Sequence, residues 1–206
     1  MPELPEVEIT ARLLGRELAG VKIESAVAPG INVMKSFEPP LDGLAGHRIE
    51  GFRRRGKLLI IDFSGGLSML IHLMSAGRMQ IFDMRAGPKD RASRILIRLE
   101  DGRELRLRET GTHQRAWARL LGTQEVEADE ALARLGPDAW PGPVLPEAVT
   151  ATERPLYSLL RDQATLAGIG RTWVDEILWS ARLSPFKRAA DLTPDEAEAL
   201  LAAIAE

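Results

Sequence analysis

A chain of 206 residues, 45% apolar and 28% charged with hardly any low-complexity stretch, has the composition of a globular protein, not of a disordered or fibrous one, and can fill one sizeable core or two modest ones. The absence of cysteine excludes a disulfide framework, an Fe–S cluster and a thiolate zinc site, and three scattered histidines do not replace them. The net charge of −3 speaks against nucleic acid only as an average, because arginines crowd into Arg53-Arg54-Arg55 with Lys57, into Arg91 to Arg108 and into Arg161 to Arg188, while acids gather in Glu125 to Glu130 and the last helix.

The acidic start MPELPEVE is not a signal peptide, and no apolar run approaches membrane-spanning length, so a cytoplasmic protein is expected. Glu6 to Ala19 carries Val7, Leu13, Leu14 and Leu18 at roughly helical spacing, with Pro5 ahead and Gly20 just past the end, and predicts an amphipathic helix. From Val21 to about Leu121, short runs of Val, Ile and Leu alternate with Pro39-Pro40, Gly51, Gly56, Gly65-Gly66, Gly87-Pro88 and Asp101-Gly102. That pattern predicts antiparallel strands, clearest at Lys57 to Phe63, Leu67 to Leu73, Arg94 to Leu99 and Glu104 to Arg108, with Asp101-Gly102 as the hairpin turn between the last two. After Thr123 the period becomes helical over Val126 to Leu135, Pro155 to Gln163, Arg171 to Leu183 and Thr193 to Glu206, interrupted by a proline-rich passage at Pro137 to Pro146. The last helix opens with the capping box Thr193-Pro194-Asp195-Glu196 and stops inside AEALLAAIAE without a C-terminal cap, which reads as a helix cut short. The expected fold class is therefore α+β, an antiparallel β-sandwich with a leading helix over residues 1–124 and an α-helical domain over residues 125–206.

The chemistry-bearing residues sit in four places. Once Met1 is removed, Pro2 carries a secondary amine able to attack a sugar carbon and form an iminium, and the adjacent Glu3 can protonate the ring oxygen of a deoxyribose. Pro2, Glu3 and Glu6 equally suit the positive end of a helix dipole, so the residues alone leave both roles open. In RRRGKLLI the cations cluster at a glycine-bearing turn before a strand, either to meet a phosphate backbone or simply as an exposed basic turn. His72 on an apolar strand is by default a satisfied core histidine, with Met74 and Met79 as packing residues. In LLRDQATLAGIGRTWVDEILWSARLSPFKR a turn with Gly168 and Gly170 leads into a helix beginning near Arg171, whose first amides suit a phosphate, while Trp173, Ile177, Leu178 and Trp179 are expected in the core.

MPELPEVE resembles the opening of the formamidopyrimidine-DNA glycosylase and endonuclease VIII family of base-excision enzymes, and the resemblance continues through RRRGKLLI, IHLMSAGRMQI, RLRETGTHQRAW and LAGIGRTWVDEIL to the last helix. It implies a bifunctional DNA glycosylase and abasic-site lyase, in which Pro2 matches the nucleophile, Glu3 the essential acid, Glu6 a further active-site carboxylate and Lys57 a lysine reaching the phosphate beside the damaged nucleotide. Aligned from His72, the side chain that fills the gap left by the flipped base falls on Ser75, with Met74 one place earlier. Arg108 matches the arginine facing the orphaned base, and Thr110 stands where an aromatic wedge is usual. Gly168 and Gly170 belong to the similar helix–two-turn–helix signature, where Arg171 replaces a phosphate-binding asparagine and where Asp175 and Glu176 match acids packing near the amino terminus, Glu176 in a supporting role. The resemblance implies a monomer that takes up double-stranded DNA with a damaged base or abasic site, near the nucleoid and away from membranes, without a metal or organic cofactor. Family members ordinarily continue into a zinc finger or a zincless equivalent, which does not fit in 206 residues. With the departures at Ser75 and Thr110, this leaves a second reading, a truncated, non-catalytic module that binds damaged or abasic DNA, and a third, a protein-interaction sandwich.

Overall fold

The structure, a computed structural model, describes residues 1–30, 32–87 and 90–206; Pro88 of the expected Gly87-Pro88 turn lies outside the described residues. The chain divides into two compact units, Met1–Asp129 and Glu130–Glu206.

The first unit holds helix α1 (Leu4–Leu18) and eight strands: β1 (Ile23–Val27), β2 (Ile49–Arg55), β3 (Leu58–Phe63), β4 (Leu67–His72), β5 (Gly77–Phe82), β6 (Ser93–Leu99), β7 (Glu104–Glu109) and β8 (Trp117–Gly122). They form two four-stranded antiparallel sheets, in the orders β1-β6-β7-β5 and β2-β3-β4-β8. The inner faces bury a single cluster that includes Ile61, Phe63, Met69, Ile71, Ile97 and Leu105, the alternation expected of stacked sheets. Helix α1 adds Val7, Ala11, Leu14 and Leu18 to it; with Leu4, also buried, they recur at three- and four-residue steps and so line one helix face. Leu13, expected on that stripe, is instead 46% exposed. Lying about 100° around the helix from Leu14, it points off the buried face. The hairpin at Asp101-Gly102 forms as expected, with Gly102 at φ 91° between β6 and β7.

The helix expected over Val126 to Leu135 is broken. Residues Thr123–Ala128 form a 3-10 turn and Glu130–Ala133 a separate short helix, α2. Two ion pairs explain the break, since Arg119 Nη1 on β8 donates to Asp129 at 2.7 Å and Arg53 Nη1 on β2 to Glu127 at 3.3 Å. They tie this stretch to the second sheet, which is why the first unit extends to Asp129.

The second unit consists of α2, α3 (Pro146–Thr150), α4 (Leu156–Leu160), α5 (Arg171–Ser180) and α6 (Pro194–Ala205). Its core gathers Leu156, Leu160, Leu166, Val174, Ile177, Leu178, Leu200 and Ile204. Two of the residues expected there are placed otherwise. Trp173 is half-buried and Trp179 is 83% exposed. Val174, Ile177 and Leu178 take the inward positions of α5, so Trp179 falls on the outer face in line with Asp175, four residues earlier. Thr193 caps α6 as its sequence predicts, its hydroxyl accepting the Glu196 N–H at 3.3 Å.

Candidate functional site

Helix α1 is pinned to both ends of β2. The Gly20 N–H donates to the Ile49 carbonyl at 2.8 Å, where the strand begins. Near the strand's end, Arg54 Nε donates to Glu8 at 3.0 Å. From Gly20 back to Glu8 the helix rises roughly 18 Å at about 1.5 Å a residue, and β2 covers roughly 17 Å from Ile49 to Arg54 at about 3.3 Å a residue. The two lengths match, so the helix runs antiparallel to the strand and its first residues project past Arg54. There the chain turns through Gly56 and Lys57, with Gly56 at φ 55° in the first central position of a two-residue hairpin, where a glycine fits best.

Strand register brings the remaining pieces to the same end. Leu58 pairs with His72, so Lys57 flanks the histidine, and His72 pairs in turn with Trp117. In the other sheet Gly77 pairs with Glu109. That pairing sets the β4–β5 turn, with Met74 and Ser75, alongside the β7–β8 loop that begins at Thr110. The amino terminus, the Lys57 turn, the Met74-Ser75 turn and the loop 110–116 thus converge from four distant parts of the first unit.

Within this end, Pro2 is buried and Glu3 is 1% exposed. Glu6, exposed at the helix start, accepts the Glu3 N–H at 2.9 Å; it steadies the backbone that carries the proposed nucleophile and acid. Glu8 ties the same segment down further. Burial opposes ionisation of Glu8 most strongly, but bonds from Arg12 and Arg54 outweigh it and hold the carboxyl below its ordinary value. The expectation of an exposed basic turn fails for Arg54, whose side chain is only 2% exposed because it reaches in to Glu8 and to the Gly56 carbonyl. Arg53, Arg54 and Arg55 belong to β2, and Lys57 alone of the four cations lies in the turn. Arg53 is engaged by Asp62 at 2.8 Å.

His72 is half-buried, its ring centroid 5.9 Å from that of Trp117, and its Nδ1 lies 2.9 Å from the Met74 N–H. Burial, and secondarily the Lys57 charge, push its pKa down from 6.5 to about 4, so the ring is neutral near pH 7. Met79 is buried in the core, as the packing reading expects. Arg108 lies on the strand expected over Glu104 to Arg108: it occupies β7 between Arg78 and Ser93, 3.6 Å from Asp90 and 5.4 Å from the centre of the Phe82 ring. The loop beyond it exposes Thr110, Gly111, Thr112 and His113.

Glu109 and Gln114, which sequence reasoning passed over, hold that loop. The Glu109 carboxylate, buried, accepts the Arg115 N–H at 2.8 Å and the Ala116 N–H at 3.0 Å. Gln114 Nε2 donates to the Glu109 carbonyl at 3.0 Å, and its oxygen accepts from Arg94. A carboxylate at the foot of a glycine-bearing loop was the available signal, yet in sequence it is indistinguishable from a solvated acid.

The helical unit contributes its own arrangement. Gly168, at φ 110°, donates its N–H to Gln163 Oε1 at 3.0 Å, while Gln163 Nε2 donates to the Ile169 carbonyl at 2.7 Å and the Arg161 carbonyl at 2.9 Å. One amide side chain therefore spans the turn. Gly170 is the N-cap of α5 and Arg171, its first residue, is exposed. Asp162 closes the preceding turn on Thr165 and Ala164; Arg154 chiefly, then the Ala164 N–H, keep its carboxyl below the ordinary value. Asp175 and Glu176 lie on the exposed face of α5. Among the described residues no group of three or more His, Cys, Asp or Glu side chains gathers to hold a metal, and no helix is long and apolar enough to cross a membrane.

The family model of the formamidopyrimidine-DNA glycosylase N-terminal domain matches residues 1–115, and that of the formamidopyrimidine-DNA glycosylase H2TH domain matches residues 135–206. A formamidopyrimidine-DNA glycosylase from Roseiflexus sp. is 34% identical over 209 residues, covering 97% of this chain and 74% of the relative. One from Cereibacter sphaeroides is 34% identical over 219 residues, covering 100% of this chain and 76% of the relative. The solved complex between Lactococcus lactis Fpg and DNA containing an abasic site matches with a TM-score of 0.87 at 25% identity, over 98% of this chain and 75% of that one. Two domain matches in the expected order, on a sandwich and a helical unit that carry the matching motifs, show that this chain belongs to the formamidopyrimidine-DNA glycosylase family.

Proposed function

We propose that this chain is a DNA glycosylase with abasic-site lyase activity, acting on duplex DNA that contains a damaged base or an abasic site. In this reading the neutral amine of Pro2, freed by loss of Met1, bonds to C1′ of an extruded nucleotide as the damaged base departs. Glu3 protonates the ring oxygen as the C1′–O4′ bond opens, leaving an iminium between proline and the opened sugar. Loss of a proton from C2′ then expels the 3′ phosphate and breaks the strand. Lys57, with the DNA-facing residues His72, Met74, Ser75 and Arg108, serves the first unit; Gly168, Gly170 and Arg171 grip the backbone through the second, where a helix start favours phosphate. Glu6 and Glu176 have supporting roles. The chemistry calls on no metal or organic cofactor, and the protein works as a monomer in the cytoplasm.

The observation that carries this reading is the burial of Glu3 beside Pro2 at the end of the sandwich where the Lys57 turn arrives. The adjacent positions put a carboxyl group and a nucleophile side by side at that end, which is what acid-assisted ring opening needs. Borohydride trapping tests it: protein lacking Met1 should become covalently linked to an abasic-site duplex, and protein retaining Met1 should not, because its proline nitrogen is an amide. No adduct from the demethionylated chain would overturn the enzymatic reading. A binding module without turnover is favoured by one observation, that the exposed loop residues Thr110, Gly111 and Thr112 offer no large apolar side chain. Tight binding of abasic DNA with no strand cleavage would establish it.

A further inference from the structure

The loop 110–116 is closed at its base by two side chains. The backbone of Glu109 belongs to the sheet, its N–H donating to the Ala92 carbonyl at 2.9 Å. Its carboxylate reaches across to the returning limb of the loop, where Oε1 accepts the Arg115 N–H at 2.8 Å and Oε2 the Ala116 N–H at 3.0 Å. Gln114 ties the same limb back to the Glu109 carbonyl at 3.0 Å and accepts from Arg94. Buried amides need acceptors, and here one side chain meets two of them at once. At the tip, Gly111 turns at φ 110°, a conformation that suits glycine, and a Cβ there would meet nothing within 4 Å. Backbone shape and not crowding calls for that glycine, so the exposed tip takes its form from the base.

We infer that Glu109 is a positioning residue for the encounter with DNA: by clasping the returning limb at Arg115 and Ala116, its carboxylate presets the shape in which Thr110 to His113 meet the duplex. The inference rests on the repair reading given above. A loop already in its binding shape loses little freedom on association. An unfastened loop holds that shape for only a fraction of the time, and the apparent Kd rises by the inverse of that fraction. Once DNA holds the loop in place, the chemistry at Pro2 proceeds as before. Glu109 also pairs with Gly77, whose N–H closes the Met74-Ser75 turn on the Leu73 carbonyl at 2.8 Å, so the clasp sets the loop in register with that turn. The signature of this role is weakened binding with an unchanged rate for the bound complex, which neither a group at the reacting atoms nor a mere support of the sandwich would give.

Glu109→Gln keeps the length of the side chain and one oxygen, but turns an NH₂ donor toward an amide that needs an acceptor. In protein lacking Met1, hydrogen exchange at the Arg115 and Ala116 amides reads the clasp, titration with an abasic-site duplex reads binding, and borohydride trapping at saturating duplex reads the bound complex. The two amides should exchange faster while β3 and β4 stay protected, Kd should rise about tenfold, and the saturated trapping rate should stay close to parental. Parental Kd with both amides exposed would overturn the inference, because the shape of the loop would then not matter to DNA. Parental Kd with slower saturated trapping would overturn it in favour of a part in the chemistry, and amides that stay protected would show that the carboxylate is not the clasp. If Glu109→Gln unfolds or loses protection in β3 and β4, Gln114→Ala, which opens the other closure of the same base, must raise Kd at an unchanged trapping rate; parental binding in that variant would overturn the inference. If the parental protein binds the duplex but forms no adduct, the repair reading fails by itself, and Kd still judges the clasp.

Discussion

The two units assemble their DNA-facing features in opposite ways. In the sandwich, Pro2, Lys57, His72 and Thr110 meet because helix length matches strand length and because three register pairs, Leu58 with His72, His72 with Trp117 and Gly77 with Glu109, fall at one end. In the helical unit the turn from Gln163 to Arg171 is continuous in sequence and is spanned by one side-chain amide. A site of the first kind is overdetermined by the fold and fails only where a reacting group or a backbone contact is removed. A site of the second kind is exposed to the loss of a single residue.

The largest effect is expected where the sandwich supplies chemistry. Glu3→Gln keeps the shape of a side chain that is 1% exposed and removes its acid. Single-turnover excision should slow by roughly 10²- to 10⁴-fold, the usual worth of a positioned acid, while affinity for abasic DNA stays close to parental. Excision at the parental rate would show that the sandwich end positions DNA without transforming it.

A matched pair of glycines tests whether the units fail separately. An added Cβ would come 2.3 Å from a backbone oxygen at both Gly77, against Leu73, and Gly136, against Ala164. Neither oxygen can move without moving its turn, so Gly77→Ala and Gly136→Ala should each cost about 3 kcal/mol in denaturant unfolding. Gly77→Ala should also abolish trapping by displacing the Met74-Ser75 turn. Gly136 bonds to the Gln163 carbonyl at 2.9 Å, so its variant should weaken DNA binding and leave amide protection in β3 and β4 unchanged. Loss of protection in the same strands from both variants would erase the contrast.

The same contrast explains what was legible in the sequence. The strands at Leu58–Phe63 and Leu67–His72 announce themselves because buried residues run consecutively between glycines, and α6 because its capping box is local. The turn before Arg171 is contiguous, so its glycines could be read directly. The sandwich end could not be assembled from periodicity, since nothing local to Lys57 says that it flanks His72. Its residues were named through the resemblance, while their convergence depends on register. The misplacements are of one kind. Residue type and approximate spacing point one way for Arg54, Leu13 and Trp179, and a partner or an angle decides the other: Glu8 draws Arg54 inward, and single-residue rotations turn Leu13 and Trp179 out. Asp129 ends a helical pattern for a similar reason, because Arg119 on β8 claims its carboxylate.

The smallest effect, and the sharpest test of the helical side, is Gln163→Ala. It leaves the Gly168 N–H and the Ile169 and Arg161 carbonyls without their side-chain partner, at roughly 0.5–1.5 kcal/mol a bond. The turn's backbone is still held at other points, such as the Ala167 N–H on the Pro137 carbonyl at 2.8 Å, so the unit should remain folded. Affinity for duplex DNA should drop about tenfold, and the slope of log K against log salt should flatten by about one as a phosphate contact is lost. Arg171→Ala should flatten the slope by a similar amount, since the exposed guanidinium is the charged element at that helix start. If Gln163 acts by setting the start of α5, the two residues serve the same phosphate and the double variant should lose about one unit of slope, not two. A full additive loss would mean that the glutamine shapes a different contact, and the helical unit would then hold DNA at two independent points.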